Sequence, residues 1–353
     1  MFNRLFSLIL IASFLLLPQA ISARTLYKER IAIISAFGLE LNLLKSETEI
    51  ERIEMINGVT FTIGKLRGND VVLLLSGISI PNAVMKTQLL LDHFEVERII
   101  FSGVAGGVNP NLSVLDVTIP EQWALYQEMY FAKQVGDQFP ILDEKGEPLP
   151  TSFGLTLADV HKNESGNYGA LNNYNLVYTR KTDVVSMQYS DLTNFGAGEQ
   201  VFWMPVDTEM LELAKKILAS VEPQLSKCAV LFDGPVVDPE TNKPVCLDEQ
   251  PNIVFGGNGV SGPTFVDNRN YREYVFNTFR ANVLDMETAG TAFVCRSNKV
   301  PYLAFRTLSD LAGGESEENL FGTFFLTAAN NSAKVVLEFL DAWKQHNIRK
   351  KRH

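Results

Sequence analysis

The sequence predicts an α/β fold: one layered α/β/α domain in which helices cover a central sheet. Three observations carry this. Short apolar, β-branched runs alternate with amphipathic helical patterns, without an internal repeat. The chain has 353 residues at 46% hydrophobic composition, enough for one large core, and two small domains would also fit the length. The stretch 283–314 reads VLDMETAGTAFVCRSNKVPYLAFRTLSDLAGG. Here an apolar run ends in Asp285-Met286-Glu287, a helical pattern follows, and a second apolar run ends in Ser309-Asp310. In open α/β sheets ligands bind at the carboxyl ends of strands. If the two runs are neighbouring strands, Glu287 and Asp310 face one crevice.

The elements follow in order. Residues 31–34 form a short β-branched run that reads as a buried first strand. Glu40 lies just beyond its carboxyl end, either facing the crevice or as a solvated acid of a first helical turn, where the helix dipole favours acids. Residues 59–66 and 71–75 read as a hairpin about Arg67-Gly68-Asn69-Asp70. An amphipathic pattern with Ala83, Val84, Leu89, Leu90 and Leu91 predicts a helix ending at His93, a helix-end residue. A strand over 98–101 runs into Ser102-Gly103-Val104-Ala105-Gly106-Gly107. Glycines there read as a turn that admits a ligand to the backbone, or as tight packing. The stretch is neither a GxGxxG fingerprint nor a phosphate loop, since no Lys follows.

Residues 117–120 read as a strand, and 123–131 are aromatic-rich. From about 134 to 205 the chain is rich in Asn, Gly, Tyr and Ser with no sustained period, which predicts a long irregular insertion. Asp207 is a helix N-cap, with Met210, Leu211, Ala214, Ile217 and Leu218 on one apolar face. After the cysteine-bounded loop come residues 252–255, Gly256-Gly257 and the stretch 260–266. Phe265, at a strand end, either stacks on a flat ligand or packs in the core. Helices are predicted over 271–279 and from about 320 to 343.

Composition narrows the function. Lys and Arg number 31 against 41 Asp and Glu, a net charge of −10, which argues against nucleic acid as a partner. The one basic run, Arg349 to Arg352, reads as a solvated tail. Four histidines and three cysteines show no metal-ligand spacing, so no metal is expected. At the N-terminus, Arg4, an apolar run over 5–17 and the small residues Ala20, Ser22 and Ala23 describe a cleavable signal peptide over 1–23, with an uncleaved anchor as the alternative. The expected mature protein, from residue 24 to about 348, is exported and has no stable membrane association. In an oxidising compartment Cys228 and Cys246 could close the Pro-rich loop 228–246 with a disulfide, or remain two unrelated thiols, while Cys295 reads as a buried thiol.

Four blocks now combine: IAIISAFGLEL (31–41), SGVAGGV (102–108), SGPTFVDN (261–268), and LDMETAG with LSDLAGG (284–290 and 308–314). Together they resemble the nucleoside phosphorylase superfamily, and within it the 5′-methylthioadenosine/S-adenosylhomocysteine nucleosidases. The leader, the insertion and residues 265–274 also look like the exported bark storage proteins of that superfamily. The resemblance implies a mixed twisted sheet, a purine nucleoside as small-molecule partner, no cofactor, and a homodimer or higher homo-oligomer. It implies that Asp310 is the general acid that protonates N7 of the leaving purine and that Glu40 activates water. Glu287 would accept the ribose hydroxyls, with Met286 beside the ribose. Phe265 would stack on the base and the Val266 backbone would bond its edge, while Val104 and Gly106 would line the site.

Such residues fit the chemistry. Breaking an N-glycosidic bond builds positive charge on the sugar and negative charge on the base, so an acid at the base and carboxylates at the sugar both help. Val104 stands where many members have Ser or Thr, and Phe101 where phosphorylases place a phosphate-binding Arg. Gly38 and Leu39 replace acids before Glu40, and Pro263-Thr264 replace Asp-Ala. The expected activity is therefore hydrolysis of a purine nucleoside. A phosphate-dependent phosphorylase is the alternative chemistry, and a storage or nucleoside-binding protein with little turnover is the alternative from another class.

Overall fold

The computed structural model describes residues 28–127, 130–131, 155–156, 177–180, 198–218, 225–315 and 319–350. The expected signal peptide lies outside the described residues, as does most of the 134–205 insertion. In chain order the main elements are β1 (Arg30–Ser35), α1 (Gly38–Ser46), β2 (Glu49–Ile56), β3 (Val59–Leu66), β4 (Asn69–Leu75), α2 (Ile80–His93), β5 (Val96–Gly107), β6 (Val117–Ile119), β7 (Gln122–Leu125), β8 (Met204–Pro205), α3 (Thr208–Leu218), β9 (Ile253–Phe255), β10 (Asn258–Ser261), α4 (Arg269–Phe279), β11 (Ala281–Asp285), α5 (Thr288–Asn298), β12 (Tyr302–Asp310) and α6 (Phe321–Lys350).

The twelve strands form one mixed sheet in the order β8-β7-β10-β11-β5-β1-β4-β3-β2, with β12 joined to β5 and β6, and β9 joined to β6. β1 pairs in parallel with both β4 and β5, and every one of its residues is buried. That burial explains its continuous apolar run, since both faces are covered. Helices α1, α3 and α6 pack together on one face, and α2 packs against α5 on the other. The first half of the sheet ends in an antiparallel meander, β2-β3-β4. Its two turns, Asn57-Gly58 and Arg67-Gly68, take positive φ at both central residues, the geometry that suits a two-residue hairpin.

Several expectations change. The glycine-rich stretch after residue 101 is no turn: β5 continues through it to Gly107. A turn would need the strand to lose its partners, but β12 pairs with β5 as far as Gly106, and β11 takes over at Gly106 and Gly107. The glycines are there because side chains crowd the strand. A Cβ on Gly103 would overlap the Glu40 carboxylate and the Arg306 guanidinium. Phe265 lies four residues beyond the end of β10 at Ser261, not at a strand end. Within the stretch expected to be irregular, Val177–Arg180 pairs antiparallel with Gly198–Val201, and Met204–Pro205 joins the main sheet beside β7. β2 was not anticipated as an element, α1 is the helix whose first turn was the alternative for Glu40, and α6 runs seven residues beyond Trp343.

Cys228 and Cys246 form a disulfide with a sequence separation of 18. The loop it closes is fastened to α6: the Val230 N–H donates to Thr327 Oγ1 at 3.0 Å, and Ser226 exchanges two hydrogen bonds with the Asn331 side chain at 2.9 and 2.8 Å. Cys295 is buried in α5, and burial pushes its thiol up. Among the described residues no helix is long and apolar enough to cross a membrane.

Candidate active site

The site forms where β5 changes partners. Gly106 sits between two strands, opposite Asp310 of β12 and opposite Leu284 of β11. The chain leaves β11 through Asp285-Met286-Glu287 and leaves β12 at Asp310, so the two acidic ends open on the same space. There lies a pocket of about 230 Å3. Glu40, Val104, Gly106, Phe265, Val266, Met286, Glu287 and Asp310 all line it. All eight residues singled out in the sequence thus meet in one place, although they come from distant parts of the chain.

Glu40 lies in the first turn of α1 and is buried. It is therefore not the solvated acid of a helix start. Its Oε2 accepts the N–H groups of Ala36 (2.7 Å) and Phe37 (3.3 Å), and its Oε1 accepts the N–H of Val104 (2.8 Å). Burial raises its carboxyl above the ordinary range against the pull of Arg306 and these three donors. The closeness of β5 at Val104 depends on the bare Gly103 beside it.

Glu287 follows β11 and caps the start of α5. Its Oε1 accepts the Ser79 N–H at 2.9 Å, and its Oε2 lies 3.3 Å from Arg306 Nη2. Burial raises its carboxyl to about 7, opposed by Arg306 and reinforced by Asp285. Ser79 can present its amide this way because its φ is +83°, a conformation uncommon for a non-glycine residue and most often held in place for function.

Asp310, the last residue of β12, accepts the Ala312 N–H on Oδ1 and the Ser309 hydroxyl on Oδ2, each at 2.9 Å. Burial raises its carboxyl to about 6 against those two bonds. Glu315 and Asp267 add a smaller push in the same direction. An acid so placed holds a proton in mildly acidic water and can pass it to a base in the pocket.

The remaining walls are apolar. Phe265 is 54% exposed and meets Phe321 edge-on at 5.6 Å. Phe321 leads to Phe325 at 5.0 Å, and Phe325 stacks on Phe37, also at 5.0 Å. Phe37, Ile78 and Phe321 line the pocket together with the charged residues. An exposed aromatic ring beside a pocket is available to a flat ligand, which fits Phe265 better than ordinary core packing does.

Residues 30–341 match the phosphorylase superfamily model. The chain belongs to the phosphorylase superfamily. It is 26% identical over 321 residues to the 5′-methylthioadenosine/S-adenosylhomocysteine nucleosidase of Bacillus cytotoxicus, covering 89% of this chain and 100% of that protein. Its fold is similar to that of the 5′-methylthioadenosine/S-adenosylhomocysteine nucleosidase of Neisseria meningitidis, solved in complex with methylthio-immucillin-A: TM-score 0.57, 22% identity, 88% of this chain and 98% of that one. It is also similar to futalosine hydrolase of Helicobacter pylori, with TM-score 0.59 and 18% identity over 90% of this chain and 99% of that one.

Within this superfamily fold, the sequence reading missed one residue at the centre of the site. Arg306, on β12, is fully buried and touches three carboxylates: Asp285 (2.8 Å), Glu287 (3.3 Å) and Glu40 (3.7 Å). It also donates to the Val104 carbonyl at 2.9 Å and lies over the Phe101 ring at 4.4 Å. Phe101 thus carries a cation on its face, contributed by a different strand. The signal was present: Arg306 is a charged residue in the middle of an apolar strand, and a buried charge requires a partner.

Proposed function

We propose that this chain hydrolyses the N-glycosidic bond of a purine nucleoside of the 5′-methylthioadenosine type and releases the base. The observation that carries the reading is the charge of the pocket. Its charged lining residues are Glu40, Asp285, Glu287 and Asp310, all acidic. The nearby cation, Arg306, is already committed to three of them. Among the described residues none that lines the pocket is a cation, so a phosphate dianion would enter against carboxylates, whereas a neutral water would not. This favours hydrolysis over phosphorolysis.

The geometry supports a division of labour. Asp310 donates its proton to N7 of the purine, so the bond from the ribose to N9 breaks toward a neutral base. Positive charge grows on the sugar, where Glu287 and Glu40 stabilise it. Glu287 accepts the ribose hydroxyls, with Met286 alongside. A water beside Val104 and Glu40 attacks the sugar, and Glu40 takes its proton. The Val104 N–H already orients the Glu40 carboxylate. Phe265 covers one face of the base, and Val266 presents its backbone to the base edge. The walls formed by Phe37, Ile78 and Phe321 suit an uncharged, apolar 5′ substituent.

Val104 favours a second reading, a nucleoside-binding or storage protein with little turnover, because a hydroxyl there would help hold the water. Base release from a nucleoside panel, with and without phosphate, separates the possibilities. Phosphate-independent release of adenine from 5′-methylthioadenosine supports hydrolysis. Release only with phosphate indicates a phosphorylase, and tight binding without release indicates the storage reading. The signal-peptide pattern of the sequence over 1–23 and the Cys228–Cys246 disulfide both support an exported protein. We also propose that a second copy of the chain contributes to the assembly.

A further inference from the structure

Asp285 lines the pocket, yet the reaction above gives it no task. Its hydrogen bonds can be assigned completely. Ser261 Oγ accepts the Ala289 N–H at 2.8 Å, so its own proton goes to Asp285 Oδ1. Thr288 Oγ1 accepts from Arg306 Nε at 3.0 Å and Nη2 at 2.9 Å, so its proton goes to Asp285 Oδ2. The N–H groups of Glu287 and Thr288 both reach Oδ1 at 3.1 Å, and Arg306 Nη2 lies 2.8 Å from Oδ2. Both oxygens of Asp285 act as acceptors.

The guanidinium therefore has the accepting carboxylate of Asp285 at its shortest distance. Glu287 and Glu40 are farther from it, at 3.3 and 3.7 Å, and all three carboxylates are buried. If all three were ionised, one cation would face three anions out of water, an arrangement buried charges relieve by keeping a proton. The groups of this cluster are Glu40 on α1, Asp285 and Glu287 at the end of β11, and Arg306 and Asp310 on β12, while the Lys86 ammonium of α2 lies beside Gly77.

We propose that Asp285 is a positioning residue: by engaging Arg306 as its nearest partner, it keeps one proton within the Glu40–Glu287 pair in the resting site. The raised carboxyl of Glu287 agrees with this arrangement. The use of that proton in turnover rests on the hydrolase reading above, but the charge state itself does not. A pocket relieved of one negative charge admits a neutral nucleoside.

The test is carboxyl 13C NMR of the full chain labelled at glutamate, with Glu40→Gln and Glu287→Gln used to assign the two signals. In the parent protein the pair should still hold one proton at pH 6. Finding both groups ionised at that pH overturns the proposal without recourse to any variant. In Asp285→Asn, Arg306 serves two carboxylates instead of three, so the proton should leave about 1 pH unit or more lower. Asp285→Glu, which keeps the charge, should titrate nearer the parent. An Asp285→Asn protein that is less heat-stable but titrates as the parent would make Asp285 a strut of the turn and nothing more. Absence of base release by the parent would count against the hydrolase reading alone, since the titrations do not depend on turnover.

Discussion

Arg306 Nη1 lies 3.7 Å from Glu40 Oε1, and both side chains are buried. The first belongs to β12 and the second to α1, 266 positions apart in the chain. The same guanidinium reaches Asp285 and Glu287, so one residue ties the α1 side of the pocket to the end of β11. Removing one partner from a buried ionic cluster leaves uncompensated charge, which costs roughly 3–5 kcal/mol. Arg306→Met should lower the denaturant midpoint by a corresponding amount. Arg306→Lys should be intermediate, because a point charge cannot span three carboxylates as a planar guanidinium does. Chemical denaturation at neutral pH checks both.

Asp310→Asn removes the proposed proton donor. Base release should fall by about 10²–10⁴-fold, and parent-like rates in the variant would exclude Asp310 from the reaction. The same change should affect stability in the opposite direction. A carboxyl raised from 3.8 to about 6 is charged at a cost in the folded state. Its folded state binds more protons than its unfolded state between those values, so the cost is absent below the unfolded pKa and grows as pH rises through the folded one. It reaches about 3 kcal/mol at most. Asp310→Asn should therefore melt higher than the parent at pH 8 and lose that advantage near pH 4, less whatever its two hydrogen bonds contributed. Melting curves of both proteins across this range decide the sign.

The pH dependence of turnover follows from two groups. In the proposed roles Asp310 works protonated, so activity should fall as pH rises through about 6, and Glu287 works ionised, so activity should fall as pH drops through about 7. The expected kcat/KM profile is a bell with its maximum between those values. Glu287→Gln should flatten the acidic limb and reduce kcat/KM by about 10–100-fold, the loss expected for a hydrogen bond to a charged acceptor.

Gly103→Ala tests the crowding on β5. The added methyl overlaps both Glu40 and Arg306, which are held by several bonds each. A displacement of about 1 Å in a catalytic group can cost about 10²-fold in rate. We expect a loss of that size in steady-state turnover, with the far-UV spectrum unchanged. Full activity would show that the carboxylate has more room than the structure gives it.

Reduction tests the closed loop. A disulfide around a loop of this size stabilises by about 3 kcal/mol in the chain-entropy model. Cys228→Ser with Cys246→Ser should melt several degrees lower than the parent, measured by calorimetry under non-reducing conditions.

Much of the site was legible in the chain because strand ends are legible. An apolar run that stops at an acid, as at Leu284-Asp285-Met286-Glu287 and at Leu308-Ser309-Asp310, marks the place where a buried strand reaches a crevice. Glu40 could be placed after the first strand by the same rule. The glycines after Phe101 were visible, but their purpose was not: a turn and a crowded strand have the same local composition. β2 was hidden because its side chains, such as Ile53 and Met55, are largely exposed at the sheet edge and show no clean alternation.

By itself, then, the sequence determined the layered α/β class, the acidic strand ends and the two cysteines able to close a loop, because hydrophobic period, charge and spacing are local properties. The tertiary structure alone decided that Arg306 is the shared partner of Asp285, Glu287 and Glu40, that Glu40 is buried and not solvated, and that Gly103 must have no side chain. These depend on which strands neighbour β5, and on a low-dielectric interior in which each charge is set by the others around it.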